Sequence, residues 1–577
     1  MVIMQQLSGQ ARGRPRRSRP DSDQEGSAVR GTAGWRAVAA RSWPPAVAAA
    51  AIAALGLWGL SRGSTMGNDE VATRWAALLS LRQLGHLLSH VDAVHGTYYL
   101  LMHGWMAVGT SPAVMRVPSV IAMAAAAAMV VLIGWRVSGS RWTGLLAGLI
   151  MALTPVISFF AQTARSYALV FACVAGATLV LLRALAAETA QQPGRRTVLR
   201  WWLAYGALVA AGGYLNELSL TVLAAHAVTV LLARYGRRSV MHWAGAGAAG
   251  AIVVTPLALL SARENQAVDW ITRPGLHDVL ILFRDYFGPT NWVAVLVFGC
   301  AVIAVLPPRS WRPGWGRGRA HAQGPDLADG QAAVPWWRSG GVSLPSVAAP
   351  LLILPGSLLM LESLVAEPLY VDRYVLFGEA GAALLAAGGV VRLGRWLSQA
   401  GYGRAWLSQA SHRRALLAAP AVLLCVFALV FQLGPQRHDR TPQSRQYDFG
   451  DPAFYVGAHA KPGDGVLFFN LFFRKIRLGY PRDFRDVRDL AQAVSPAQAG
   501  NYAGRDKPIA QVRQLMLGYR RIWVIGRSPD GVLSSPPVRA QSATLRRNFT
   551  LAAQRQFHGM TVTLWLRDPA GAAGPRR

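Results

Sequence analysis

The amino-acid sequence predicts an α-helical polytopic membrane protein with about eleven spanning helices and a small α/β domain near its C-terminal end. Three observations carry this reading. Of the 577 residues, 52% are hydrophobic and 15% are charged, against about 25% charged in soluble domains. The apolar residues cluster in uncharged runs of roughly 17–22 residues, long enough to cross a hydrocarbon core of about 30 Å. The connections between these runs are alternately arginine-rich and arginine-poor, the pattern of loops sorted by the positive-inside rule.

The arginines set the expected threading. The tail, residues 1–43, carries Arg12, Arg14, Arg16, Arg17, Arg19, Arg30, Arg36 and Arg41, and is expected to stay disordered in the cytoplasm. It is too long, and lacks the small-residue cleavage site, for a signal peptide. The membrane domain is expected over residues 44–435. A first helix, Pro45 to Leu60, leads to a long outer loop at 61–116. Helices two to six follow, with Arg136, Arg183, Arg195 and Arg234 among the inner residues. A mixed-charge outer loop, Ser261 to Thr290, separates helices seven and eight. The Pro/Gly/Arg-rich stretch from Pro307 to Gly341 reads as a disordered inner loop. Helix ten starts near Tyr374, and helix eleven runs from Leu416 to Leu433.

Residues 436–577 then lie outside. Gly465 to Phe469, Arg521 to Gly526 and Thr561 to Arg567 read as strands. Pro508 to Tyr519 reads as a helix, which makes this segment an α/β module. Its last residues are expected to fray.

The net charge of +31 invites a nucleic-acid partner, but the distribution of the charge excludes one. Lysine occurs at Lys461, Lys475 and Lys507, and the remaining bases are arginines in the tail and alternate loops. They orient the chain and meet anionic lipid of the bilayer. The Arg, Ala and Gly excess points to a GC-rich bacterial genome and hence to a bacterial plasma membrane. Cys173, Cys300 and Cys425 all lie in apolar runs, so neither a disulfide framework nor a thiolate metal site is expected.

Polar groups at one membrane boundary are the first functional candidates, and here they gather on the outer side. Asp69 and Glu70 follow helix one; adjacent carboxylates suit general-base work, and a solvated loop pair is the simpler alternative. Asp92 and His95 sit in a polar turn before the aromatic stretch Tyr98 to His103, which is expected to lie along the membrane surface. They suit a hydroxylated substrate. Asp92, His95 and Glu70 are also zinc-ligand types, although a capped interfacial helix explains them more simply. Gln162, Arg165 and Tyr167 mark the boundary between helices three and four, where an arginine can clamp a phosphate. Arg373 and Tyr374, after Asp372, open helix ten; Arg116 and Pro118 open helix two. Each reads alone as a boundary anchor. His226 and His242 read as structural, and Glu217 is an open candidate. The composite asks for a substrate with hydroxyls and a phosphate at the outer lipid boundary.

These residues together resemble the GT-C superfamily of membrane glycosyltransferases. Within it, the match is to the protein-O-mannosyltransferase group, glycosyltransferase family 39, with its related bacterial lipid A aminoarabinose transferases. The order Asp69-Glu70, His95 to His103, Met115 to Ser119, Gln162 to Leu169 and Arg373-Tyr374 is similar to that family's motifs. The pattern also resembles actinobacterial mannosyltransferases. Two departures stand out. Thr163 occupies a position where relatives often carry a carboxylate, and His95-Gly96 replaces the usual prolines.

The resemblance implies a polyprenyl-phosphate sugar donor, with mannose the expected sugar, and an acceptor hydroxyl on a protein, lipid or cell-wall glycan. It implies inversion, with Asp69 as base, Glu70 in support, and Arg165 and Arg373 on the donor phosphate. Asp92, His95, Gln162, Tyr167 and Tyr374 complete the expected binding site. No cofactor is implied; a divalent metal is the alternative. A flippase for lipid-linked sugars is the rival function, but no mid-span polar site or inverted repeat is evident. A scaffold with a partner-binding C-terminal domain leaves the motifs unexplained.

The threading is testable by labelling. A cysteine at Ser535 should react with a membrane-impermeant maleimide in intact cells, and one at Thr197 only after permeabilisation. The reverse pattern would invert the topology.

Overall fold

The computed structural model describes residues 42–61, 65–190, 194–263, 271–306, 341–399, 410–527 and 535–568. The expected basic tail, the stretch at 307–340 and the fraying last residues lie outside these. Pro44–Arg577 packs as one compact unit.

A short apolar helix, α1 (Ser42–Leu57), opens the bundle. The first long connection then folds into α2 (Asn68–Leu78), α3 (Leu81–Leu88), a 3-10 turn (Ala93–His95) and α4 (Gly96–Trp105). Asp69 and Glu70 occupy the first turn of α2, where the helix dipole favours carboxylates. Ser80 and Gln83 form a capping box on α3. In α4, Tyr98, Tyr99 and Met102 are buried while Leu100 and Leu101 are exposed. That two-sidedness is what a helix lying along a bilayer boundary requires.

The helices that follow are α5 (Pro112–Ser138), α6 (Arg141–Leu153), α7 (Pro155–Ala161), α8 (Tyr167–Glu188), α9 (Arg195–Leu215), α10 (Val222–Leu232), α11 (Arg237–Ser261), α12 (Leu276–Phe287), α13 (Asn291–Val305), α14 (Leu344–Val365), α15 (Glu379–Gln399) and α16 (Ala410–His438). The chain is a multi-pass membrane protein: six helices are long and apolar enough to cross a bilayer. Two bent pairs, α6–α7 at 72° and α12–α13 at 78°, raise the number to eight if each pair is one span. The remaining segments expected to span are helical, yet α1 and Glu217–Leu232 are short. Length and composition therefore support six to eight spans among the described residues, against the eleven expected. The bends have local causes. Pro155 at the start of α7 supplies no N–H and crowds the preceding turn. Gly288, between α12 and α13, takes φ 109°, a region glycine tolerates.

Close helix packing rests on glycine. A Cβ on Gly389 of α15 would lie 1.7 Å from the Cys300 carbonyl oxygen of α13, and one on Gly381 2.4 Å from that of Ala348 in α14. Small residues of this kind let membrane helices approach backbone to backbone.

The C-terminal region holds α17 (Gly450–His459), β1 (Asp464–Phe468), α18 (Lys475–Gly479), β2 (Val487–Asp489), β3 (Gln492–Val494), α19 (Pro496–Ala499), β4 (Arg505–Asp506), α20 (Ile509–Met516), β5 (Arg521–Gly526), α21 (Pro536–Asn548), β6 (Phe549–Phe557) and β7 (Met560–Arg567). The main sheet has the order β2-β1-β5-β7-β6. Pairing is parallel between β1 and its neighbours β2 and β5, and antiparallel at β5–β7 and β6–β7. Alternating residues serve two layers. Val466, Phe468, Trp523 and Ile525 join the core that continues into the bundle. Leu467, Ile522 and Val524 pack with Val512, Met516 and Leu545 of α20 and α21. The three expected strands and the helix are present; β2, β6 and α21 were not foreseen.

Overpacking a core position costs about 1–3 kcal/mol, and a backbone clash at Gly389 leaves less room to relax. Gly389→Leu should markedly lower the thermal midpoint in detergent. Gly299→Leu on α13, with nothing within 4 Å of its added Cβ, should leave the midpoint unchanged.

Candidate active site where the bundle meets the C-terminal domain

The site is built on a buried ion pair. Arg116 Nε donates to Glu70 Oε1 at 2.8 Å and Nη2 to Oε2 at 2.7 Å, with both side chains at most 2% exposed. Two further guanidinium protons are used as well. Nη1 reaches the Leu60 carbonyl at 2.6 Å and Nη2 the Thr65 carbonyl at 2.7 Å. Glu70 also accepts from the backbone N–H groups of Ala164 at 3.1 Å and Gly67 at 3.4 Å. One bidentate pair thereby ties α2 to α5, to the end of the first helix and to the turn before α8. Arg116, expected as a boundary anchor at the start of a helix, is inside α5 and buried because Ser111 caps that helix earlier.

That turn, residues 162–166, is fixed on every side. Ser119 Oγ donates to the Thr163 carbonyl at 2.7 Å, and Thr73 Oγ1 to the Ala164 carbonyl at 3.0 Å. The Gln162 amide donates to the carbonyls of Leu55, Gly56 and Trp58. It satisfies carbonyls that the end of a helix leaves open.

The fixed turn aims Arg165 inward. Its Nη1 donates to Tyr99 Oη at 3.0 Å, its Nη2 to His95 Nε2 at 2.9 Å, and its Nε stands 3.9 Å from Asp69 Oδ2. Arginine cannot accept, so His95 Nε2 is the acceptor and Nδ1 carries the proton; that Nδ1 is buried with no protein partner. Asp92 Oδ2 accepts from Tyr99 Oη at 2.7 Å and Tyr502 Oη at 2.6 Å. Arg373 Nε donates to Tyr167 Oη at 3.0 Å, and its guanidinium stands 5.6 Å from the Tyr374 ring centre. The backbone N–H of Arg373 is held by Asp372 Oδ1 at 2.8 Å.

The electrostatics follow from this placement. Burial would raise the Asp69 carboxyl, but Arg165, Arg373, His95 and Lys475 overcome it and hold the group down to about 2. Burial, and then Arg165, push the His95 imidazole down to about 4 against Asp92 and Asp69. At neutral pH His95 is therefore uncharged, and the cations around Asp69 are the two arginines and Lys475. The Asp69 side chain keeps 38% of its accessibility, against 8% for Arg165, so it is the open carboxylate of the cluster.

The structure gathers Asp69, Asp92, His95, Arg165, Tyr167, Arg373 and Tyr374, and reassigns two expected site residues. Glu70 has both oxygens committed to Arg116 and one also to the Ala164 N–H, so it positions α2 and the turn. Gln162 is wholly buried, with its amide turned to the first helix. The zinc alternative also loses Glu70 to Arg116, and among the described residues no three His, Cys, Asp or Glu side chains are grouped to hold a metal. His226 is enclosed by Thr178 and Tyr205, His242 pairs with Glu188, and Glu217 accepts from Ser261.

Sequence reasoning missed the contribution of the C-terminal domain. Tyr502 reaches Asp92, Lys475 Nζ donates to Asn68 Oδ1 at 3.1 Å, and Tyr480 Oη accepts from the Met66 N–H at 2.6 Å. Arg445 donates to Thr163 Oγ1 at 2.9 Å and lies over the Phe159 ring. Thr163, the departure from the family pattern, thus serves as an arginine's acceptor. The one sequence signal was that Lys475 is a lysine in a chain built on arginine.

No family model and no curated protein sequence matches the chain. Solved structures do match. ArnT from Cupriavidus metallidurans in the apo state superposes with a TM-score of 0.55 at 12% identity, over 95% of this chain and 100% of that one. The chain has the ArnT fold. ArnT bound to undecaprenyl phosphate gives a TM-score of 0.53 at 12% identity, over 92% and 99% of the two chains. The ArnT fold agrees with the GT-C resemblance of the motifs.

Removing one partner of a buried ion pair costs about 3–5 kcal/mol. Arg116→Met should therefore lower the thermal midpoint in detergent sharply, and Glu70→Leu/Arg116→Met together should recover part of the loss. A single variant as stable as the wild type would show that the pair does not hold the site.

Proposed function

We propose that this protein is a membrane glycosyltransferase that moves a sugar from a polyprenyl phosphate to an acceptor hydroxyl, with inversion. The observation that carries this reading is the placement of one accessible carboxylate, Asp69, beside Arg165 and under the charge of Arg373. A base next to a pair of guanidiniums is what transfer from a phosphate leaving group needs. The ArnT fold supports it, since ArnT itself has been solved with undecaprenyl phosphate bound. Mannose is the sugar we favour, from the motif resemblance. The reaction side is extracytoplasmic, with the N-terminus in the cytoplasm of a bacterial cell, and the two bent pairs, the two short apolar helices and α9 are added to the six long helices to give eleven spans.

In the reaction, Asp69 takes the proton of the acceptor hydroxyl as that oxygen attacks the anomeric carbon. The bond from this carbon to the phosphate oxygen breaks on the opposite face, and its electron pair leaves with the phosphate. Arg165 and Arg373 hold the phosphate and take up the charge that grows on it. They supply what a divalent cation would otherwise bring. We assign His95 and Asp92 to the sugar hydroxyls, as the motif resemblance implies.

A carboxylate held at about 2 is a weak base at neutral pH. Donor binding changes this. A phosphodiester anion against Arg165 and Arg373 offsets the charges that depress Asp69, so its pKa rises in the complex. The base gains strength when the donor is present.

Membranes containing the wild type should transfer label from radiolabelled polyprenyl-phosphate mannose, and Asp69→Asn should lower the rate by about 10²–10⁴-fold at equal expression. The acid limb of kcat should lie at higher pH than that of kcat/KM for donor, because the former reports the bound state. Full activity in Asp69→Asn would end Asp69's role as base. Lipid-linked sugar crossing the bilayer without transfer would favour the flippase.

A further inference from the structure

Lys475 comes from a short helix of the C-terminal domain, 407 residues from its partner Asn68. Its approach is built into the packing. α18 lies against α2, with Gly479 so close to Val71 that an added Cβ would stand 2.7 Å away, and Arg74 Nη1 donates to the Gly479 carbonyl at 3.2 Å. The ammonium stands 4.8 Å from the Tyr502 ring centre and 5.1 Å from that of Phe472.

Asn68 links this lysine to the base. Its Oδ1 accepts from Lys475 Nζ at 3.1 Å, and its Nδ2 donates to Asp69 Oδ1 at 3.2 Å. An amide can turn either way, but its neighbours here settle the choice. An ammonium only donates and a carboxylate only accepts, so the oxygen faces Lys475 and the NH2 faces Asp69. Asp69 Oδ1 is thereby occupied, which leaves Oδ2, on the Arg165 side, for the acceptor hydroxyl.

We infer that Lys475, acting through Asn68, is a positioning residue for the Asp69 base, so that the active site is complete only when the C-terminal domain is docked on α2. This rests on the glycosyltransferase reading above. The chain of contacts chooses which carboxylate oxygen takes the proton. It also persists when a donor phosphate engages Arg165 and Arg373, because neither arginine takes part in it.

The groups that face Asp69 are Arg165 on the turn before α8, His95 on the 3-10 turn, Arg373 and Tyr374 before α15, and Lys475 on α18, with Arg445 also in its field. Glu70, its neighbour in α2, is paired with Arg116, and Arg445 lies behind Thr163. Losing the Lys475 charge raises the Asp69 pKa, so the acid limb of activity moves to higher pH.

The experiment compares full-length wild type, Lys475→Met, Lys475→Arg and Asn68→Leu in membranes with polyprenyl-phosphate mannose. A misdirected catalytic group costs about 10²-fold. Lys475→Met should lower kcat by that order with donor KM little changed, and should shift the acid limb upward. Lys475→Arg should recover part of kcat and return the limb towards the wild-type position. Adding Asn68→Leu to Lys475→Met should cost nothing further, since both break one chain. A rise in donor KM at constant kcat would overturn the inference by making Lys475 a phosphate ligand. So would a lower thermal midpoint with an unmoved acid limb, which marks a purely structural contact. Wild type that transfers no label would remove the underlying glycosyltransferase reading; active wild type with unaltered Lys475→Met would remove this inference alone.

Discussion

The Glu70–Arg116 pair is the constraint on which the rest of the site depends. It is bidentate, buried and backed by two backbone carbonyls on the guanidinium, the kind of support under which an ion pair in a low-dielectric interior holds its place. Glu70 fixes the first turn of α2, and so the neighbouring Asp69. The same carboxylate takes the Ala164 N–H, which fixes the turn that aims Arg165. Asp69 and Arg165 are therefore registered to each other through one residue, Glu70. Adjacent carboxylates have divided the work: one is locked and the other open.

Around that frame the charges are deliberately unequal. Asp69 faces Arg165, Arg373 and Lys475, and Asp92 faces Arg165, so positive charge is in excess. The excess explains why the Asp69 carboxyl is held low despite its burial. The C-terminal domain belongs to this balance, through Lys475 and Tyr502, and one hydrophobic core runs from the bundle into its sheet.

Much of this was legible in the sequence, for identifiable reasons. Apolar runs bounded by arginine marked the helices, since the bilayer imposes both length and charge sorting. Asp69, Asp92, His95 and Arg165 were found because each lies in a polar turn between apolar segments. What stayed hidden was pairing across distance. Glu70 and Arg116 are 46 residues apart, and nothing local says that a carboxylate beside Asp69 is consumed by an arginine on another helix. Gln162 looked like a ligand because its role, capping the carbonyls of the first helix, exists only once α7 bends at Pro155. Lys475 and Tyr502 sit in no motif, and their place at Asp69 and Asp92 is set by how α18 docks on α2. Eleven spans were expected where length and composition support six to eight, for a related reason: a proline or glycine break is visible in sequence, but the angle it takes is decided by packing.

The central claim is that Asp69 and the Arg165–Arg373 pair form one donor site, and imaging the bound product addresses it most directly. A cryo-EM reconstruction with polyprenyl phosphate should place the phosphate between the Arg165 and Arg373 guanidiniums, with Asp69 Oδ2 facing the space the sugar leaves. Phosphate density held elsewhere, with Arg165 still engaged by His95 and Tyr99 and Asp69 turned from the ligand, would contradict the account.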